Sequence, residues 1–130
     1  MSGSGAPRHA APPGWHSVTP RLVARDAAGL VTFVQDVFEA TATTEPNAPS
    51  IVHLGDSNVM ISEAGERAPH AAFLYVYVVD ADAAYRRALA RGARSIEAPF
   101  DTPYGDRRCM IEDGWGNTWQ IAVHGTARHG

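Results

Sequence analysis

Hydrophobic and polar positions repeat along this chain. An alternating segment at residues 21–25 is followed by Asp26 and an Ala-rich run, and the same order returns at residues 74–79, Asp80 and the run to Arg91. An internal repeat of about fifty residues indicates two copies of one supersecondary unit that bury a shared face. The sequence therefore predicts two similar halves, with function sought on the surface between them.

The first half predicts a strand, a helix and three further strands. Residues 19–25 alternate as in a strand, and Asp26 supplies a side-chain oxygen that caps a helix. That helix runs to about residue 40, and its buried stripe consists of apolar residues at helical spacing: Leu30, Phe33, Val34, Val37 and Phe38. The remaining strands are expected at residues 41–49, 50–54 and 58–62, the last two joined by a turn of Gly55, Asp56 and Ser57.

The second half predicts the same order after a linker at residues 64–71. Residues 72–79 form a strand, Asp80 caps a helix that ends at Arg91, and Gly92 is placed for a left-handed C-cap. Three strands follow at residues 94–98, 107–112 and 118–124. The expected fold class is α+β: two βαβββ modules, at residues 18–63 and 72–124, in a single domain between flexible tails at residues 1–17 and 125–130.

Alternation also separates a helix-covered face of each sheet from an opposite face. Leu22, Val59, Trp119 and Ile121 fall on the covered face. The opposite face carries mostly aromatic and thioether side chains with a few polar groups: Arg21, His53, Met60, Phe73, Tyr75, Tyr77, Arg108, Met110 and Gln120. Such a mixture is typical of a small-molecule pocket. The alternative is a second core or a subunit interface, which is compatible with a pocket if the dimer contact forms one wall.

Composition excludes some partners. The chain has 130 residues and a net charge of −3, with no Lys among its 11 basic residues, so no basic patch favours nucleic acid or membrane as a partner. The bias towards Arg, Ala and Gly is typical of a high-GC genome, such as an actinobacterial one. Cys109 is the only cysteine, which rules out an intrachain disulfide and suggests a small buried side chain in a cytoplasmic protein.

Three segments carry a family resemblance. Residues 22–26 and 77–83 each open a helix, and the closing segment runs from Tyr104 through the Asp-Gly-Trp-Gly-Asn turn at residues 113–117 to Ala122. In this order they resemble the vicinal oxygen chelate superfamily, which includes glyoxalase I, bleomycin-resistance proteins and extradiol dioxygenases. The closing turn is similar to the family's Asp-Pro-x-Gly-Asn hairpin. The resemblance implies cupped sheets paired across a homodimer.

The resemblance also implies metal-binding positions on the first and last strand of each module. In this sequence those positions are Thr19, Met60, Phe73 and Gln120. A divalent metal prefers three or four imidazole or carboxylate donors together, which this set does not supply. A related branch carries a His on the third strand, where this chain has Pro49. We therefore expect no metal, no cofactor and no catalytic residue.

A cup that keeps its aromatic lining without a metal resembles the antibiotic-binding resistance branch. Phe73, Tyr75, Tyr77, Tyr104 and Trp115 offer flat faces to a planar ring system. Arg21, His53, Arg108 and Gln120 are expected to orient the ligand. The modest charge favours a neutral or weakly acidic ligand, such as an anthraquinone-fused enediyne or a mitomycin-like quinone. The predicted function is sequestration of a planar aromatic antibiotic, giving drug resistance.

Other interpretations remain open at this point. One is a lyase, isomerase or dioxygenase of the same superfamily with unorthodox metal ligands. Another is a metal-free biosynthetic enzyme that uses His53, Arg108 or Tyr75 as acid or base. For individual tryptophans, Trp119 is predicted to be core, whereas Trp115 either lines the ligand or braces the turn between Gly114 and Gly116.

Overall fold

The structure, a computed structural model, describes residues 10–125, so parts of both predicted tails lie outside it. Residues 10–20 form neither helix nor strand. The elements that follow are β1 (Arg21–Ala24), α1 (Ala27–Phe38), β2 (Thr41–Thr43), β3 (Ser50–Leu54), β4 (Ser57–Glu63), β5 (Phe73–Tyr77), α2 (Ala81–Ala90), β6 (Arg94–Asp101), β7 (Arg107–Glu112) and β8 (Thr118–Val123). The two predicted βαβββ modules and the α+β class are confirmed.

Each module forms its own four-stranded mixed sheet with the same topology. The strand orders are β1-β4-β3-β2 and β5-β8-β7-β6, and in both sheets the first strand runs parallel to the last while the other pairs are antiparallel. The registers also match, because Arg21 lies opposite Met60 in the first sheet and Tyr75 lies opposite Gln120 in the second. The repeat in the sequence is therefore a repeat in three dimensions.

Both helices begin at the predicted aspartates. The Asp26 carboxylate accepts from the backbone N–H of Gly29 at 3.1 Å, and that of Asp80 accepts from Ala83 at 3.0 Å. Each bond satisfies one of the donors that a helix N-terminus leaves free. Gly92, with φ of 91°, takes the predicted left-handed conformation after α2.

The helix-covered faces of the two sheets share one hydrophobic core. It joins Leu22 and Ile61 of the first sheet to Trp119 and Ile121 of the second, and all four side chains are buried. The Phe38 ring at the end of α1 lies 5.1 Å from the Trp119 ring, which confirms Trp119 as a core residue. Because this core holds the covered faces, the opposite faces of both sheets lie outside it.

Polar contacts also connect the modules. The Arg87 guanidinium of α2 donates two hydrogen bonds, of 2.7 and 3.0 Å, to the backbone oxygen of Val37 in α1. These bonds satisfy a carbonyl that the end of α1 leaves without a helical partner. Arg91 pairs with Asp36 of α1 at 2.7 Å. The helices are thus fixed side by side.

Burial within two strands differs from what their faces alone suggest. Val23, which alternation places opposite Leu22, lies outside the hydrophobic core but is still buried, and His70 of the linker forms an isolated bridge with it. Leu74 and Val76, which alternation places on the covered face, pack against the core but are only half-buried. Their strand, β5, lies at the edge of the second sheet, so one side of it lacks a neighbouring strand.

Neither helix in residues 10–125 is long and apolar enough to span a membrane.

Candidate ligand-binding surface

The second sheet presents one face to α2 and the other away from it. Arg107 marks the helix side, because its guanidinium pairs with Asp82 of α2 at 2.7 Å. Successive strand residues point to opposite faces, so Arg108 and Met110 lie on the other side. We call that side the open face; its members include Phe73, Tyr75 and Tyr77 of β5, Arg108 and Met110 of β7, and Gln120 and Ala122 of β8.

Strand register brings most of the predicted residues together there. Tyr75, Gln120 and Met110 form one row across the sheet, and Tyr77, Ala122 and Arg108 form the next. Side chains directly opposite each other on neighbouring strands are in contact range. The predicted aromatic, thioether and polar groups of the second module therefore lie on neighbouring strands of one face, on which Ala122 itself is fully buried.

This surface exposes aromatic side chains to an unusual degree. Phe73 is 65% exposed, Tyr77 61% and Tyr104 65%. Single exposed apolar residues are ordinary, but a contiguous patch of them marks a site for a ligand or another protein. The open face thus has the character of a binding surface.

A buried carboxylate lies beneath the aromatic residues. Asp106, in the turn before β7, is only 5% exposed. Its Oδ2 accepts a hydrogen bond of 3.1 Å from the Tyr75 hydroxyl, and its Oδ1 lies 3.5 Å from Nδ1 of His124. Asp106 and His124 were not among the predicted site residues.

A signal for both residues was present in the sequence. Period-two alternation from Arg108 leads back to Asp106, and alternation from Gln120 leads forward through Ala122 to His124. The predicted strand at residues 107–112 begins one residue after Asp106, and the face assignment of the strand at residues 118–124 did not include His124. Extending each strand face by one step identifies both.

The environment of Tyr75 fixes its protonation state. Burial, and next the contacts with Tyr104 and the Asp106 carboxylate, raise the pKa of the Tyr75 phenol well above its ordinary value. Both effects disfavour the charged phenolate. Tyr75 is therefore a hydrogen-bond donor at neutral pH and a poor candidate for a general base.

Arg108 is held in place by three neighbours. It donates a 2.7 Å hydrogen bond to the Tyr104 hydroxyl, pairs with Glu97 at 3.3 Å, and stacks over the Phe100 ring at 5.2 Å. The contact with Glu97 joins Nη2 to Oε1 as an ion pair without hydrogen-bond geometry, and Nε of Arg108 is buried without a hydrogen-bond partner. The positive charge that the sequence places on this face is thus neutralised by Glu97.

The predicted residues of the first module lie on the other sheet. Arg21 donates from Nε to Ser62 at 2.9 Å and lines a cavity of about 420 Å³ with residues of β4 and of the segment before β3. Met60 is its register neighbour. Both nitrogens of His53 have partners, Asn58 at 2.8 Å and Thr43 at 3.2 Å. Within one chain, these three residues therefore belong to a separate surface.

Trp115 has the contacts of a bracing residue. Its Nε1 donates to the backbone oxygen of Arg25 at 2.9 Å, and its ring lies edge-on to Phe33 of α1 at 6.0 Å. A Cβ at position 29 would lie 3.1 Å from the Trp115 ring, so Gly29 leaves room for it. These contacts join the closing turn to the first module, as expected of a residue that braces the turn.

The closing turn itself is organised by Asp113. This buried carboxylate accepts from the backbone N–H groups of Trp115 and Asn117 at 2.9 Å each, from the Asn117 side chain at 2.9 Å and from Nε1 of Trp119 at 2.8 Å. Four donors on one carboxylate define a rigid turn. The Asp and Asn of the motif therefore have a structural role.

The metal positions implied by the resemblance do not supply metal ligands. Thr19 lies before β1, Phe73 has no donor atom in its side chain, and Met60 and Gln120 offer only a thioether and an amide. Within residues 10–125, no three His, Cys, Asp or Glu side chains are grouped to hold a metal ion. This donor set does not fit a divalent metal.

An apolar cleft lies beside the open face. It has a volume of about 290 Å³ and is bounded by the β3–β4 turn and by β5, with Leu54, Leu74, Val76 and Trp119 among its lining residues. Tyr75 and Tyr77 border this cleft as well. The edge strand β5 therefore has accessible apolar surface on both of its faces.

Two βαβββ modules around a shared core, with an aromatic face left open, define a class of small-molecule-binding and metal-enzyme folds. The sequence profile of the Glyoxalase/Bleomycin resistance protein/Dioxygenase superfamily matches residues 16–121. The chain belongs to this superfamily, as its motifs predicted.

The chain is also similar to individual proteins. Uncharacterised proteins of Mycobacterium bovis and Mycobacterium tuberculosis are each 25% identical to this chain over 123 residues, which covers 81% of the chain and 81% and 72% of those proteins. Among solved structures, TioX from Micromonospora sp. ML1 superposes with a TM-score of 0.72 at 23% identity, covering 82% of this chain and 97% of TioX. A superfamily member from Nocardioides superposes with a TM-score of 0.60 at 19% identity, covering 82% of each chain. These structural matches show the fold.

Proposed function

We propose that this protein binds and sequesters an aromatic natural product, without chemical conversion, on the open face of the second sheet. The observation that carries the proposal is the exposure of four aromatic side chains, Phe73, Tyr75, Tyr77 and Tyr104, of which the three tyrosines line one depression. Aromatic side chains supply large contact area and favour a ring-bearing ligand, while Gln120 and the paired Arg108 add direction. Antibiotic resistance by sequestration is the biological role that such binding would serve.

The polar groups of the site support binding over acid–base chemistry. The raised pKa of Tyr75 keeps the phenol protonated, and Arg108 is engaged with Glu97 and Tyr104. His53, the third candidate acid or base, lies on the first sheet with both nitrogens in hydrogen bonds. These groups are positioned by other side chains of the protein, as expected for residues that orient a ligand.

We further propose that a second copy of the chain covers the open face and completes the pocket. β5 is an edge strand whose end exposes Val79, 95% accessible, next to the exposed Tyr77. An edge strand presents unpaired backbone groups to a partner. β1 is the equivalent edge strand of the other module, with its outer edge bridged by His70 at Val23, so pairing of β5 with the rest of the partner's β1 could occur twice around one twofold axis.

The binding proposal is tested by titrating the protein with anthraquinone-type and mitomycin-type compounds and following the quenching of Tyr and Trp fluorescence. We expect a dissociation constant in the micromolar range or below, and about a tenfold loss for Tyr77→Ala, which removes one ring contact and its buried area. Leu89→Ala is the matched control, since it removes an exposed apolar side chain from α2. An equal loss for both variants contradicts the proposed surface.

Mass spectrometry of the recovered ligand separates binding from catalysis. An unchanged ligand after long incubation supports sequestration, whereas a stoichiometric or catalytic mass change supports a metal-free biosynthetic enzyme. Elemental analysis of the purified protein tests the metal-dependent alternative. About one Fe, Mn, Ni or Zn per chain would replace the binding proposal with a lyase, isomerase or dioxygenase.

The dimer proposal is tested by the molar mass in solution from light scattering. We expect twice the chain mass for the wild type and a monomer for Val79→Glu, because an unpaired charge in an interface is costly. Leu89→Glu introduces the same charge on α2 and should leave the dimer intact. A wild-type monomer at all concentrations contradicts this part of the proposal alone.

A further inference from the structure

Aromatic rings border the buried Asp106 carboxylate at one end of the open face. Tyr75, Tyr77, Tyr104, Asp106 and His124 together line a solvent-open depression of about 400 Å³. The rings of Tyr75 and Tyr77 have centroids 5.3 Å apart and are inclined by 55°. The rings of Tyr77 and His124 have centroids 6.4 Å apart and are inclined by 79°. We call this group the aromatic cage.

These inclinations determine the shape of the group that fits. A flat ring system stacks on a parallel ring, so it can stack on only one of two rings that are inclined by 55° or 79°. A compact, nearly spherical group can lie against several inclined rings at once. The cage therefore suits a compact group better than the flat body of a planar ligand.

The charge of the cage favours a cation. Asp106 contributes a carboxylate, and Arg108, which donates to the Tyr104 hydroxyl of the cage, is already paired with Glu97 at 3.3 Å. Asp106 is thus the acidic side chain of the cage, and the Arg108–Glu97 pair beside it adds no net charge. Aromatic faces attract cations through their quadrupole, and quaternary ammonium groups are recognised by cages of this kind.

The carboxylate also has acceptor capacity left. Oδ2 accepts from the Tyr75 hydroxyl at 3.1 Å, but Oδ1 lies 3.5 Å from Nδ1 of His124, longer than a good hydrogen bond. A carboxylate oxygen can accept more than one bond. An ammonium N–H entering the cage would thus find an acceptor in addition to the ring faces.

We propose that the aromatic cage binds a protonated amine or quaternary ammonium group, so that the ligand held on the open face carries a basic nitrogen beside its ring system. Only the claim that the bound ligand also carries a ring system rests on the proposed function. The ligand class therefore differs from the neutral or weakly acidic aromatic that net charge favoured. Cation binding by the cage itself is independent of which natural product the protein holds.

The test compares choline with its neutral carbon isostere, 3,3-dimethylbutan-1-ol, by NMR of the ¹⁵N-labelled full chain, with sodium chloride matching the ionic strength. Choline should give saturable shifts of the amides of Tyr77, Ala122 and His124, and the isostere should bind at least about fivefold more weakly, since only the charge differs. Equal affinity for the two compounds, or no saturable shift with choline, would overturn the inference.

Two variants locate the effect. Tyr77→Leu keeps apolar bulk but removes the ring and should weaken choline binding by about 2–30-fold, whereas Tyr77→Phe should retain it. Asp106→Asn removes the charge from a buried side chain and should weaken choline binding more than Asp36→Asn, which removes the same charge from the surface near Arg91. Circular dichroism checks that both asparagine variants fold. If Tyr77→Leu and Asp106→Asn both bind choline as the wild type does, the cage is not the cation site.

The outcomes separate this inference from the proposed function. Choline bound in the cage, together with no binding of any aromatic antibiotic, would support the cation site and contradict sequestration of a planar drug. Conversely, tight binding of an antibiotic without a basic nitrogen, together with no choline binding, would leave sequestration intact and overturn the cation site.

Discussion

The hydroxyl of Tyr75 donates a 3.1 Å hydrogen bond to Oδ2 of Asp106, 31 residues away in the sequence. This bond connects the edge strand β5 to the turn that precedes β7. The same turn is closed by Thr102, whose backbone N–H and hydroxyl both donate to the backbone oxygen of Asp106, at 2.7 and 2.9 Å. The turn carries Tyr104, so these bonds position one wall of the aromatic cage before a ligand arrives.

Replacing Tyr75 by Phe should destabilise the fold. The change leaves a buried carboxylate oxygen without its donor, which costs about 1–2 kcal/mol in the free energy of unfolding. Tyr85→Phe is a matched control, because the Tyr85 hydroxyl bonds to Ser95 at an exposed site, where a change within about 0.5 kcal/mol is expected. Urea unfolding measures the loss in the free energy of unfolding for each variant. A loss for Tyr75→Phe no larger than that for Tyr85→Phe would show that the Tyr75–Asp106 bond does not stabilise the fold.

The raised pKa of Tyr75 predicts a loss of stability in alkali. A free tyrosine ionises near pH 10, so above about that pH the unfolded chain loses a proton that the folded protein still binds at Tyr75. The contribution of this group is complete below that pH and falls as the pH rises. Urea unfolding at a series of pH values should show a steeper alkaline loss for the wild type than for Tyr75→Phe. Parallel curves would contradict the assignment.

Cys109 should be inert in the folded protein. Its side chain on β7 is fully buried beside Ala81 of α2, and burial is the main cause that raises the pKa of the thiol to about 12. Because the thiolate is the reactive form, labelling by a disulfide reagent should require unfolding. We expect complete labelling in concentrated urea and, in water, a rate that tracks the unfolded population. Rapid labelling of the native protein would contradict this burial.

The fold followed from the sequence because its signals are local and occur twice. Asp26 and Asp80 mark both helix starts, and the alternation around Leu22, Ile61 and Ile121 places the covered faces correctly. Each signal depends on neighbours within one element, where periodicity is a direct consequence of backbone geometry. The matching order of the two copies then fixed the class of fold.

The site was only partly predictable because it depends on how elements meet. Alternation placed Tyr75, Met110 and Gln120 on one face, as the structure does, but it could not show that His53 and Met60 lie on the other sheet within the same chain. Nor does any local pattern indicate that the Trp115 ring contacts Phe33 of α1, which lies 82 residues earlier in the chain. Contacts between modules are set by packing, which the period of a single strand does not encode.

The role of Trp115 can be separated from ligand binding by a pair of variants. Trp115→Phe removes the hydrogen bond to the Arg25 carbonyl and part of the ring packed on Phe33, so it should lower the free energy of unfolding by about 1–3 kcal/mol. Because these contacts face α1, its antibiotic affinity should stay within about twofold of the wild type. Tyr77→Ala should show the opposite result, with nearly unchanged stability and weakened binding, since its side chain is mostly exposed. Urea unfolding gives the free energy of unfolding of each variant, and fluorescence titration gives its affinity for the antibiotic. A loss of affinity in Trp115→Phe as large as that in Tyr77→Ala would place Trp115 back among the ligand-binding residues.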